Sequence, residues 1–171
     1  IIGSANKGLG KLDEAIKAYR QALSLKPDYA DGYYNLGVTL QDQGEWEEAI
    51  EAYNKTLSLK PDFAEAYNNM GSALTGQGKL VEAIEACDKA LSLRPDFADA
   101  YNNLGNALKD QGKSQKAIEA FSKALSLKPD FAEAYYNMGN ALTNQGKLEE
   151  AIVSYKHALS LKPDYAEAFY N

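Results

Sequence analysis

The 171-residue chain holds one cysteine, one histidine, one tryptophan and five prolines. A single cysteine, Cys87, excludes an intramolecular disulfide and points to a reducing compartment, so a cytoplasmic location is expected. The lone His157 excludes a metal set built from histidines. No apolar run approaches the roughly 18 residues that a membrane span needs. The formal net charge is -6, and no Lys/Arg-rich stretch interleaves with aromatics. Nucleic acid and anionic membranes are therefore poor partners. The chain opens IIGSANKG, with neither an initiator Met nor a signal peptide. The expectation is a piece of a longer protein, with any targeting segment outside it.

The few prolines are placed with great regularity. They stand at 27, 61, 95, 129 and 163, always 34 residues apart. Each opens Pro-Asp-(Tyr/Phe)-Ala and follows Leu-Ser-Leu-(Lys/Arg). A fixed period of this size is the signature of stacked repeats. The expected organisation is one array, 1–171. Its full units are 27–60, 61–94, 95–128 and 129–162, with 1–26 the rear of a unit and 163–171 the front of another.

Each unit reads as two helices. With the Ala after Pro-Asp-aromatic as phase 1 (Ala98, for example), helix A covers about phases 1–13, as in ADAYNNLGNALKD. Gln111-Gly112 then breaks it, the glycine serving as a left-handed C-cap. Helix B follows, as in SQKAIEAFSKALSL, and stops before a proline that cannot continue it. The Lys or Arg before each proline puts positive charge at the negative helix end. Phases 1, 4, 7, 8 and 11 of helix A (Ala98, Tyr101, Leu104, Gly105, Leu108) share one face, and so do Ala117, Ile118, Phe121, Ala124 and Leu125 of helix B. The expected core stripe of helix A centres on phase 4. Small residues at Gly105, Ala117 and Ala124 let backbones approach, and no unit buries its apolar face without a neighbour.

The wording resembles the tetratricopeptide repeat family over essentially the whole chain. Its signature appears as Tyr101, Leu104-Gly105, Ala117, Phe121, Ala124 and Pro129, and again as Tyr135, Met138-Gly139, Ala151, Tyr155, Ala158 and Pro163. The resemblance implies an all-α fold, a right-handed superhelical solenoid of antiparallel helix pairs with helix A lining a concave groove. Departures are few: Thr56 replaces the second Ala, Cys87 the helix B aromatic, and Ser114 stands where other units have Leu or Trp46. The implied function is a non-catalytic scaffold that binds a protein or an extended peptide.

One feature of helix A is odd for a wet surface. Phase 6 is Asn35, Asn69, Asn103, Asn137 and Asn171, although asparagine costs about 0.5 kcal/mol in a helix against alanine. Phases 2, 6, 9 and 13 cluster opposite phase 4. Phase 9 holds Asn106 and Asn140, and phase 5 flanks the row with Tyr34, Asn68, Asn102 and Tyr136. The outer side of helix B uses ordinary Glu/Lys pairs such as Glu51 and Lys55. Three readings of the amides stand: a grip on a ligand main chain, bonds to the neighbouring repeat, or bare solvation. An amide both donates and accepts, so it suits a peptide backbone of any sequence. Asn103-Leu104-Gly105-Asn106 also resembles the superhelical domain of O-linked N-acetylglucosamine transferases, which implies an alternative: the substrate-recruiting region of a larger enzyme. Phase 2 is acidic throughout (Asp31, Glu65, Asp99, Glu133, Glu167), which argues against a carboxylate clamp and for a ligand with basic residues.

No catalytic residue, cofactor site or metal site is expected. Cys87 holds a core phase and reads as a small buried hydrophobe. The Gly-Lys-Ser at 112–114 lacks phosphate-loop spacing, and Asn54-Lys55-Thr56 is a glycosylation sequon by letters only. Ile1, Ile2, Ala166 and Phe169 would expose apolar surface at the ends, so head-to-tail self-association is a further expectation.

Overall fold

In a computed structural model of the protein, residues 11–163 are described. The helical terminal contacts expected for Ile1, Ile2, Ala166, Phe169 and Asn171 lie outside them. Among the described residues the structure is all-α. The helices are α1 (Leu12–Leu25), α2 (Ala30–Asp42), α3 (Trp46–Leu59), α4 (Ala64–Gly76), α5 (Leu80–Leu93), α6 (Ala98–Asp110), α7 (Ser114–Leu127), α8 (Ala132–Asn144) and α9 (Leu148–Leu161). Even-numbered helices are the A helices of 13 residues, and odd-numbered ones are B helices of 14. The chain divides into two compact units between Leu93 and Arg94, one residue before the expected repeat boundary.

In the first unit α2 packs on α3 and α4 on α5, while α1 meets α2 and α3 meets α4. The second unit repeats this, with α6 on α7, α8 on α9 and α7 against α8. Within each unit the A helices also touch, α2 with α4 and α6 with α8.

The A-to-B turn is the same four times. Gly44, Gly78, Gly112 and Gly146 have φ of 81°, 74°, 80° and 73°. At Gly112 the amide donates to the Lys109 carbonyl and the next amide, of Lys113, to the Leu108 carbonyl, each at 2.9 Å. This pair of bonds is the Schellman closure, and only glycine enters its left-handed region without strain.

The helical glycine at phase 8 works differently. A Cβ on Gly105 would stand 2.5 Å from the Phe121 ring, and one on Gly37 2.7 Å from the Tyr53 ring. Gly71 meets Cys87 Sγ at 2.7 Å and the Ala83 carbonyl at 3.2 Å. Helix B therefore presses its aromatic, or in one repeat its own backbone, into the notch of helix A.

The centre of the core differs from the expected phase 4. Tyr33, Tyr67, Tyr101 and Tyr135 are only half-buried. The sealed positions are phases 3 and 10: Ala66, Ala100, Ala134, Ala73, Ala107, Ala141 and Thr39 are fully buried. The reason is geometric. Helix A packs between its own helix B and helix B of the preceding repeat, so the buried arc is wide and its middle shifts toward that preceding helix, as Gly32 against Leu23 shows.

The cation before each proline also does more than cap a helix. Lys60 Nζ lies 4.4 Å from the centre of the Phe63 ring, and Lys128 Nζ 4.5 Å from that of Phe131. Lys26 over Tyr29 and Arg94 over Phe97 repeat the contact. Such pairs contribute roughly 0.5–1 kcal/mol at exposed sites and brace the B-to-A turn.

Candidate functional site: the helix A amides

In the first unit α2 and α4 carry Asn35, Asn69, Tyr34 and Asn68. Asn69 Nδ2 donates to the Tyr34 hydroxyl of the preceding repeat at 3.1 Å, and its Oδ1 accepts from Asn68 Nδ2 at 3.1 Å. The Tyr34 ring packs on Phe63 with centroids 4.8 Å apart and leans toward Tyr53 at 6.2 Å. Tyr53 is buried, and its hydroxyl donates to Gln41 Oε1 at 2.8 Å. Burial, with Tyr34 close by, pushes that hydroxyl well above the usual tyrosine range, so it stays a donor. Gln41 Nε2 in turn donates to Ser72 Oγ of the next repeat at 3.2 Å.

In the second unit α6 and α8 carry Asn102, Asn103, Asn106, Tyr136, Asn137 and Asn140. Asn137 Nδ2 donates to Asn102 Oδ1 at 3.1 Å, and Asn102 Nδ2 donates to Glu133 Oε1 at 3.1 Å. The Tyr155 hydroxyl donates to Asn140 Oδ1 at 2.8 Å, and its ring lies 5.8 Å from that of Tyr136.

Burial sorts the amides. Asn68, Asn102 and Asn137 are 6%, 2% and 8% exposed. They were expected to line an open groove; instead they are buried, Asn102 and Asn137 against each other across two repeats of the second unit. Asn35, Asn69, Asn103, Asn106 and Asn140 are half-exposed, as are Tyr34 and Tyr136. The phase 6 to phase 5 bond, 35 residues apart, is thus an inter-repeat bond in both units. It is the second of the three readings the sequence left open. Buried amides must find partners, and for Asn102 and Asn137 the adjacent repeat supplies them.

The tyrosine hydroxyls that reach the amides were not anticipated. Their signal is present in the sequence: Tyr53 and Tyr155 stand where the third aromatic is Phe121. A buried tyrosine in place of phenylalanine demands a hydrogen-bond partner.

The other candidates behave as core or surface. Cys87 is fully buried, and burial, helped by the neighbouring Asp88, pushes its thiol up to about 12. The thiolate needed for nucleophilic chemistry is therefore strongly disfavoured. His157 is exposed and stacks on Tyr135 with ring centres 5.1 Å apart. Thr56 is fully buried and donates to the Ala52 carbonyl at 2.9 Å, which removes it from any sequon in the folded chain. Among the described residues no three of His, Cys, Asp and Glu stand together to hold a metal ion. No described helix is long and apolar enough to cross a membrane.

Family models for TPR repeats match residues 3–44, 40–78, 71–112 and 105–146, and a tetratricopeptide repeat model matches 132–165. The chain belongs to the tetratricopeptide repeat family. Among solved structures it is similar to MamA, at 36% identity over 98% of both chains with a TM-score of 0.82. It is similar also to Pseudomonas aeruginosa PilF, at 26% identity over 97% of this chain and 76% of that one, with a TM-score of 0.84. YrrB, described as a TPR protein with an unusual peptide-binding site, shares the fold at 22% identity, 98% and 87% coverage and a TM-score of 0.75. No curated protein matches. The family's helix-pair repeat accounts for every described helix, and membership establishes a scaffold fold of the kind that mediates protein interactions.

Proposed function

We propose that the helix A face of this tetratricopeptide repeat chain binds an extended protein segment through the segment's main chain. The observation that supports this reading is the half-exposed amide row: Asn35, Asn69, Asn103, Asn106 and Asn140 recur on the A helices where a solvated helix would use longer or charged side chains. An amide offers two donor hydrogens and two acceptor lone pairs. Asn69 donates to Tyr34, bonds Tyr53 and accepts from Asn68, which leaves one acceptor lone pair of its Oδ1 for a ligand donor. The buried Asn102 and Asn137 join the two A helices of the second unit, so that the exposed amides of α6 and α8 are held relative to one another. Tyr34 and Tyr136 flank the row and select side chains. The acidic residues at phase 2 favour a segment with basic residues.

The test is selection of random dodecamer peptides on the chain, followed by binding of an enriched peptide to the Asn35→Ala, Asn103→Ala and Asn106→Ala triple variant. Binding falls at least about tenfold, the equivalent of losing one or two hydrogen bonds, while the melting temperature holds. Equal binding by the variant removes the amides from the site. Enrichment of acidic peptides defeats the preference for basic ones.

A further inference from the structure

The second unit contains a hydrogen-bond chain that ends outside the core. Asn137 and Asn102 are both more than nine-tenths buried, and their bonds run in one direction, from Asn137 to Asn102 and from Asn102 to the carboxylate of Glu133. Glu133 itself is exposed. Its Oε1 is the acceptor for Asn102, and no described residue donates to Oε2. A surface glutamate normally keeps its rotamer freedom, which a ligand must then freeze at a cost of up to about 2 kcal/mol. Here a buried amide fixes the side chain beforehand, and a donor chain that begins at another buried amide polarises the bond. Tyr136 stands one turn further along α8, its ring half-exposed and leaning on Tyr155. Residues three apart on a helix are neighbours, so the carboxylate and the ring flank one spot.

We infer that Glu133, held by Asn102 and flanked by Tyr136, is the receptor for an arginine side chain of the bound segment. This rests on the reading of the helix A face as the binding face and names one specificity-determining position on it. A planar guanidinium lies on the Tyr136 ring and turns its donors to the fixed carboxylate, whereas a lysine ammonium matches only the charge. The other acidic residues at phase 2 supply general attraction. Asp99 is exposed, and no hydrogen bond from a described residue orients its carboxylate.

The experiment titrates acetyl-Gly-Arg-Gly-amide into the isotope-labelled full chain and follows side-chain and backbone amide resonances. Shifts centre on the Asn102 side chain and on residues 133–136. The lysine analogue binds about two- to fivefold more weakly. Glu133→Gln keeps an acceptor for Asn102 and removes the charge; it weakens the arginine peptide by about tenfold, while Asp99→Asn changes binding less than about twofold. A normal melting curve for Glu133→Gln shows that the fold is intact. Equal losses from Glu133→Gln and Asp99→Asn overturn the inference, because attraction would then be general. Shifts at Asn106 and Asn140 without any at Asn102 or Glu133 overturn it too, but leave the binding face standing. Shifts confined to helix B overturn both.

Discussion

The two compact units use the same repeat and settle its polar face differently. In the first, the phase 6 amide of Asn69 ends on the hydroxyl of Tyr34, and both groups stay half-exposed. In the second, the phase 6 amide of Asn137 ends on another amide, Asn102, which is sealed and passes the chain on to Glu133. One position decides the difference. A tyrosine at phase 5 projects its hydroxyl beyond the helix surface, so water can replace the bond. The short Asn102 there leaves both itself and Asn137 buried, so those two amides are obliged to pair. The lesson is that an identical ladder position can be a surface contact in one repeat and part of the core in the next.

The helix B aromatic separates the units more strongly. The first unit packs Cys87 against Gly71 where the second packs Phe121 against Gly105. Phe121→Cys is expected to cost about 3 kcal/mol through the cavity it leaves. Cys87→Phe should cost about 1–3 kcal/mol through overpacking, since the Ala83 carbonyl already crowds the Gly71 notch. Urea melts of both variants check this. Destabilisation in both directions means that each repeat has adapted its backbone spacing to its own residue; stabilisation by Cys87→Phe would reverse that conclusion.

The next effect sharpens the amide comparison. Asn137→Ala strands the Asn102 Oδ1 in the core and is expected to cost about 1–3 kcal/mol. Asn69→Ala leaves Tyr34 able to reach water and takes from Asn68 and Tyr53 one partner each, where both keep another, so it should cost only about 1 kcal/mol, the low end of that range. Equal costs would show that burial does not distinguish the two bonds.

A smaller effect depends on pH. Asp88 stands where the second unit has Ser122 and Lys156, and partial desolvation raises its carboxyl above the usual range. A raised folded-state value means that the folded chain holds the proton more tightly than the unfolded one. The stability this gives is present at low pH and is lost as pH rises through the folded-state value. Asp88→Ser should therefore raise the melting temperature more at pH 7 than at pH 4. The opposite trend would show that the carboxylate is stabilised by its neighbours. The smallest effect is that of Arg20→Ala, which removes the exposed ion pair with Glu48 and should change stability by less than about 1 kcal/mol.

Much of this was legible along the chain. The prolines stand just past the ends of the B helices, and Ala98–Asp110 and its equivalents match the expected helix A. These features obey local rules: proline ends a helix, glycine enters the left-handed turn, and a small residue admits a neighbouring ring. The fate of the asparagines was not legible in the same way. Asn68 and Asn103 carry the same side chain on successive phases, yet Asn68 is buried and Asn103 half-exposed. A helical wheel treats each helix as facing one partner. A helix A here faces its own helix B and adjacent helices from neighbouring repeats, so burial at phases 3, 5, 6 and 10 follows from stacking. Period, helix pairing and turn chemistry were thus determined by the sequence alone, because they depend on interactions within one unit. Which amides hold the repeats together, and which face outward with Glu133 fixed among them, was decided only by the tertiary structure, because every one of those contacts joins residues about 30 or more apart.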